Sequence, residues 1–229
     1  MIAIRDLTFE KDGGYLSALN LDVGEGEIYF LLNRLDQDND LLFRVLGGFQ
    51  PSRSGEISFD GNGSSAAERS KKAIFIERVN DRADFDAEAS LGRWLDFLCA
   101  QGLRRERIYQ TLLVGNFHER QLKKMVRDLA PETFKLAYLA ACLAADHGNI
   151  VINDFIRGAE KSFELKFNKL LLQKKAAGHS ILFLGSDIFY AAEIADRVGF
   201  IKNGRLIFEA AAVDLKEMDI KDLYSKFFS

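Results

Sequence analysis

Among 229 residues the sequence carries only two cysteines, two prolines, three histidines, three methionines and one tryptophan. Cys99 and Cys142 stand in apolar helical contexts and read as buried thiols rather than a disulfide, which suits a reducing cytosol. His118, His147 and His179 are scattered over helix ends and loops with no metal-ligand spacing to each other or to the cysteines, so surface positions are expected. Neither sign of charge dominates: 31 basic and 34 acidic side chains leave a net charge of −3. That balance implies no general attraction to nucleic acid or to an anionic membrane. The sequence has no run of 18 apolar residues, and Met1-Ile2-Ala3-Ile4-Arg5-Asp6 opens as a strand rather than a signal peptide. The expectation is a soluble chain whose membrane role, if it has one, comes through a partner, without direct insertion. Repeats and low-complexity tracts are also missing.

What is present is apolar content. Hydrophobic residues make up 48% of the chain, enough for a sizeable core in one or two domains. Residues 1–60 read as β: Ile2-Ala3-Ile4, Leu7-Thr8-Phe9 and the alternating Leu19–Val23, then Ile28 to Leu32 and Glu56-Ile57-Ser58-Phe59. Residues 80–146 become helical, with Leu91, Trp94, Leu95 and Leu98, and then Ile108, Tyr109, Leu112 and Leu113, at helical spacing. Pro131 suits the first turn of the next helix, carrying Phe134, Leu136, Leu139, Ala140 and Leu143. An α/β rhythm then resumes: strand Asn149–Ile152, helix Glu160–Ala177, strand Ser180–Leu184, and helix Ile188–Ala195 capped by Asp187. Asn203-Gly204 joins a hairpin, and Leu215–Phe228 reads as an amphipathic helix.

The stretch that organises the rest follows strand Ile28–Leu32 and precedes a helix predicted to start near Leu41. A strand, a short loop and a helix is where a nucleotide-binding α/β protein puts its phosphate loop. Such a loop needs glycines for close backbone approach, a lysine for charge and a hydroxyl for the metal. Residues 33–40 hold no glycine, lysine, serine or threonine, and three aspartates instead. Asp36-x-Asp38-x-Asp40 also invites a calcium loop, but Leu41 stands at the sixth position and Gly47 at the twelfth, where glycine and glutamate belong. The shape is that of a nucleotide site, and the chemistry is inverted.

Three further segments widen the comparison. Gly26-Glu27-Ile28, Ser54-Gly55-Glu56-Ile57-Ser58-Phe59-Asp60-Gly61, and Ala195–Val198 through Lys202–Leu206 come in the order and spacing of the framework of an ABC-type ATPase cassette. On these segments the chain resembles that family over almost its whole length. The resemblance implies a P-loop NTPase-like α/β fold: a RecA-like mixed-sheet core with an N-terminal antiparallel β part over residues 1–79 and 147–229, and a helical subdomain over residues 80–146.

The same resemblance carries the family's functional motifs onto residues that do not match them. Asn39 falls where the phosphate-loop lysine belongs, Asp40 where the magnesium-binding Ser or Thr belongs, and Asn33, Asp36 and Asp38 where glycines are expected. Asn153 replaces the magnesium-associated Asp, and Asp154 stands at the place of the catalytic Glu. The signature motif aligns with Leu129–Lys135, so that Ala130 loses a hydroxyl, Pro131 loses an N–H and Glu132 adds a negative charge. Ser186 aligns with the switch histidine and Arg78 with the glutamine loop. Phe9 is the nearest aromatic to the adenine-stacking position. Carboxylates this close to a triphosphate would repel it by a few kcal/mol per close pair, as an order of magnitude at a surface-like dielectric. The helix N-terminus can instead be satisfied internally by Asp38 or Asp40.

The expectation is a degenerate cassette without cofactor, acting as a structural or regulatory subunit beside a membrane permease or another cassette, on the cytoplasmic face, with no nucleic-acid role. Two alternatives stand beside it. One is a working ATPase subunit that uses ATP-Mg with Asp154 as base, because Asp154 keeps the charge one methylene short. The other is a soluble interaction protein on the same fold. Phe85, Trp94 and Phe97 read as core first, and otherwise as lining for a groove that receives a permease helix.

Overall fold

The computed structural model describes residues 1–11, 14–33, 36–63, 65–78, 88–115, 117–145, 147–215 and 225. The chain forms two compact units. One comprises Met1–Phe75, His147–Asp154 and Lys174–Ser229, the other Ile76–Asp146 and Phe155–Gln173. The helix expected at Leu215–Phe228 and the side chain of Phe85 lie outside the described residues.

In the first unit, β1 (Ile2–Lys11), β2 (Gly14–Val23), β4 (Ser54–Phe59) and β5 (Asn62–Gly63) make an antiparallel sheet in the order β2-β1-β4-β5. β1 is bulged between Ile4 and Leu7, where Asp6 adopts a left-handed φ of 46°. Opposite the bulge, Gly55 has φ 96°, and a Cβ there would lie 2.6 Å from the carbonyl oxygens of Arg5 and Asp6, so the backbone contact needs glycine.

The second sheet has the order β10-β9-β3-β8-β7-β6. β3 (Ile28–Asn33) lies between β8 (Ser180–Gly185) and β9 (Arg197–Lys202), parallel to both, and β7 (Asn149–Asn153) pairs parallel with β8. β9 turns through Asn203-Gly204 into the antiparallel β10 (Arg205–Ala211), as the Asn-Gly pair predicts. β6 is Ala73–Glu77. Every residue of β3, β7 and β8 is buried, which explains their nearly continuous apolar sequences: a parallel strand is covered on both faces.

α1 (Asp36–Leu46) packs against β2 of one sheet and against β3, β7 and β8 of the other, and its Leu42, Phe43, Val45 and Leu46 join one core with residues of both. The helix begins at Asp36, five residues before the Leu41 start expected from apolar spacing. Polar residues build its first turn because carboxylates there complement the positive end of the helix. Among the described residues the unit also holds three short helices, α2 (Ala66–Arg69), α7 (Ile188–Ile194) and α8 (Ala212–Leu215). Asp187 caps α7, its Oδ1 accepting from Phe189 N at 2.9 Å and Tyr190 N at 3.0 Å.

The second unit holds α3 (Leu91–Ala100), α4 (Arg105–Val114), the 3-10 turns Glu119–Lys123 and Val126–Asp128, α5 (Pro131–Leu143) and most of α6 (Lys161–Ala176). Pro131 opens α5 at its first turn, where a missing N–H costs nothing. Phe155 packs with Phe163 and Phe167 at ring-centroid distances of 6.0 and 5.4 Å, and Trp94 lies 6.1 Å from Phe134. Two apolar residues depart from their expected places: Leu113 on α4 is 69% exposed, while Ile108 and Leu112 are buried, and Phe97 on α3, expected first in the core, is 60% exposed. Cys99 and Cys142 are free thiols, each only partly enclosed as a residue. His118 is exposed, whereas His147 and His179 are half-buried, and the His179 Nδ1 lies 3.0 Å from the Lys174 carbonyl.

Candidate functional site

Three neighbouring parallel strands end together in the first unit. The pairing of β3 with β8 runs to Leu32–Gly185, and that of β7 with β8 runs to Asn153–Leu184. Asn33, Asn153, Asp154 and Ser186 therefore stand at one carboxyl edge of the sheet. Ligands of open α/β sheets collect at such an edge.

Two asparagines reach from this edge to α1. Asn33 Nδ2 donates to Asp38 Oδ2 at 3.2 Å, and Asn153 Nδ2 donates to Asp40 Oδ1 at 2.6 Å. An ionised carboxylate only accepts, so the amide nitrogens must be the atoms that face it. Asn33, Asn153 and Asp38 are 3%, 4% and 6% exposed, while Asp40 lies open to solvent. Asp38 thus places a buried carboxylate in the first turn of α1. Asn39 is 2% exposed, and among the described residues its Oδ1 has no hydrogen-bond partner, nor has that of Asn153. Asp36 begins the helix; its side chain lies outside the description.

Asp154 follows β7 in a left-handed conformation, φ 48°, which Asp tolerates better than most residues. Its N–H donates to the Leu184 carbonyl at 2.9 Å, and the residue is half-buried. Ser186, also half-buried, directly precedes the Asp187 cap. At this edge the chain brings together two carboxylates on α1, two carboxamides that reach toward them, a hydroxyl at Ser186 and a further carboxylate at Asp154. It can hold hydrogen bonds internally without any ligand.

The remaining candidates lie in the second unit. Ala130 occupies the N-cap of α5 without a side-chain hydrogen bond, Pro131 follows, and Glu132 sits in the first turn. The Ser162 hydroxyl donates to Glu132 Oε2 at 3.4 Å, while Oε1 is enclosed without a partner among the described residues. Burial draws the Lys135 ammonium below the usual lysine range; Glu132 opposes that shift and Arg78 adds to it. Lys135 therefore lies within electrostatic reach of both Glu132 and Arg78. The resemblance singled out Arg78 and Glu132 but had no means of adding Ser162. Its signal is a hydroxyl 30 residues away in sequence.

Sequence reasoning also passed over a cleft of about 630 Å³ in the first unit, lined by Arg44, Phe49, Gln50, Ser52 and Arg53 beside Phe9 and Glu10. Phe9 itself faces the core at 4% exposure, so its ring is no open stacking platform.

No family model matches the sequence. The chain is 25% identical to an ABC transporter ATP-binding protein of Treponema denticola, over 97% of this chain and 49% of that protein. It is 23% identical to the nickel import ATP-binding protein of Brucella abortus, over 89% of this chain and 81% of that protein. The chain thus spans about half the length of the first of these relatives and most of the second. Among solved structures, cbiO1 from Clostridium perfringens, part of an ABC transporter complex, superposes with a TM-score of 0.79 at 18% identity, covering 98% of this chain and 93% of that one.

Proposed function

We propose that this chain, an ABC transporter ATP-binding cassette by sequence resemblance and by fold, is a degenerate member of the family that keeps its shape without nucleotide. The observation that carries the proposal is the pair of Asn–Asp hydrogen bonds at α1. The resemblance puts the phosphate loop at Asn33 to Leu41, and there Asp38 already supplies a buried anion to the first helical turn, held by Asn33. An incoming phosphate would meet that carboxylate and Asp40, and Asn39 would offer no positive charge against it. Where the family's magnesium ion would sit between helix and strand, Asn153 donates directly to Asp40.

In this reading Asn33, Asp36, Asp38, Asn39, Asp40, Asn153, Asp154 and Ser186 mark the altered nucleotide site. Ala130, Pro131, Glu132 and Arg78 mark an altered signature and glutamine loop. The subunit acts structurally or as a regulator, docked on a membrane permease or beside a second cassette at the cytoplasmic face, and it requires neither ATP nor magnesium. No helix among the described residues is long and apolar enough to cross a membrane.

The test is isothermal calorimetry of the full chain with millimolar ATP-Mg, run beside a phosphate-release assay. Absence of binding heat and of turnover is expected. Saturable binding overturns the proposal, and turnover abolished by Asp154→Ala would establish the ATPase alternative.

A further inference from the structure

We propose that the second unit carries a binding surface for anionic phospholipid, built from the start of α3 and the 3-10 segment that lies against it. The backbone fixes this juxtaposition. Leu91 N donates to the Lys124 carbonyl at 2.8 Å, Ser90 and Met125 form an antiparallel bridge, and a Cβ on Gly92 would stand 3.1 Å from the Leu122 carbonyl oxygen. On this surface Arg93, Arg120, Lys123 and Lys124 are all exposed, and none has an ion-pair partner among the described residues. The acids around them are largely occupied: Asp96 pairs with Arg105, and Glu88 and Asp128 with Arg127. Glu119 is the exposed acid within the segment. Two apolar side chains stand among the cations, Phe97 one turn along α3 from Arg93 and 60% exposed, and Met125, 37% exposed.

The chemistry favours a fluid layer of phosphates over a structured acidic protein. Lys123 and Lys124 are point charges on flexible stems that follow charge density, and the guanidinium forks of Arg93 and Arg120 suit phosphate oxygens as well as carboxylates. A cluster of cations near a bilayer gains from each anionic headgroup it approaches, and an exposed Phe and Met can enter the boundary between headgroups and acyl chains. The chain's net charge of −3 opposes such contact overall. Screening over about 10 Å at 0.1 M salt lets the local patch act on its own account. The surface would thus steady the cassette against the membrane beside its permease.

The experiment is co-sedimentation of the full chain, without nucleotide, with vesicles of phosphatidylcholine alone and with about 30% phosphatidylglycerol. Binding to the anionic vesicles only, weakening as salt rises, is expected. The triple variant Arg120→Gln, Lys123→Gln, Lys124→Gln should bind on the order of a hundredfold more weakly with an unchanged circular dichroism spectrum. Lys71→Gln with Lys166→Gln, which removes lysines that are not members of the patch, should bind as the parent does. Equal binding to neutral vesicles, no binding to either, or a triple variant that binds like the parent overturns the proposal. So does capture by polyglutamate without vesicle binding, which would assign the surface to an acidic protein. Nucleotide plays no part here, so this outcome is independent of the calorimetric test.

Discussion

Removing either partner of the Asn33–Asp38 pair should loosen the start of α1, and a double-mutant cycle measures by how much. Asp38 is 6% exposed and accepts the Asn33 amide at 3.2 Å, toward the long end for such a bond. A hydrogen bond to a charged group contributes about 1.5–3 kcal/mol, and the distance argues for the lower end. Asn33→Ala also leaves the carboxylate enclosed without that donor, so a loss of about 2 kcal/mol is expected. Asp38→Ala loses the same bond and about 0.5 kcal/mol of favourable interaction with the helix N-terminus. If the two losses describe one bond, the double variant falls no more than about 3 kcal/mol, and the coupling between them is about 1.5 kcal/mol. Urea denaturation gives the three differences directly, provided the slopes agree. By the usual scaling each single change lowers Tm by roughly 4–8 °C. A coupling below about 0.5 kcal/mol would mean that the Asn33 amide is not what holds the Asp38 carboxylate.

Asp38→Ala should also expose an unfilled helix N-terminus, so millimolar inorganic phosphate should raise the Tm of that variant more than that of the parent. Asn153→Asp sets a carboxylate against Asp40. Position 153 is buried, so the lost amide bond and the added charge should cost about 2 kcal/mol at pH 7, read from urea midpoints. Asp187→Ala should cost about 1 kcal/mol through the lost α7 cap, visible as a lower urea midpoint at unchanged slope. Burial pushes the Cys142 thiol from 9.0 up to about 12, with the Tyr138 hydroxyl working against burial. The folded chain holds that proton longer than the unfolded one. The associated stability is therefore complete below about pH 9 and is lost as pH rises toward about 12. Cys142 should resist alkylation at pH 8 until denaturant is added.

Much of the architecture was legible because it is local. The apolar runs of β3, β7 and β8, the Asn203-Gly204 turn, the Asp187 cap and Pro131 at a helix start each follow from a few adjacent residues. The start of α1 was not, since its first five residues are polar and their place in a helix depends on the dipole they complement. Leu113 shows a different limit: helical spacing marks the centre of an apolar stripe, not its width. At the candidate site, the residue types were readable through the framework segments around them. The pairings were not. Asn153 and Asp40 are 113 residues apart, and only the parallel sheet brings the end of β7 to α1.

The place of β3 in its sheet has a consequence in time. Both of its neighbours lie far along the chain, so Ile28 waits for Ile181 on one side and Tyr29 for Arg197 on the other. During synthesis the antiparallel β1, β2, β4 and β5 are complete by Gly63, whereas β3 stays an unpaired apolar strand until about 120 further residues have emerged. Closing the loop between β3 and β8, which spans residues 34–179, adds an entropic barrier that grows by about 0.6 kcal/mol with each doubling of loop length. The last hairpin then closes the structure, as Ser17 N of β2 takes the Gly204 carbonyl at 2.8 Å. A ribosome stalled anywhere before Gly185 would hold a chain whose most apolar strand has no partner, and such intermediates are the ones chaperones must shield.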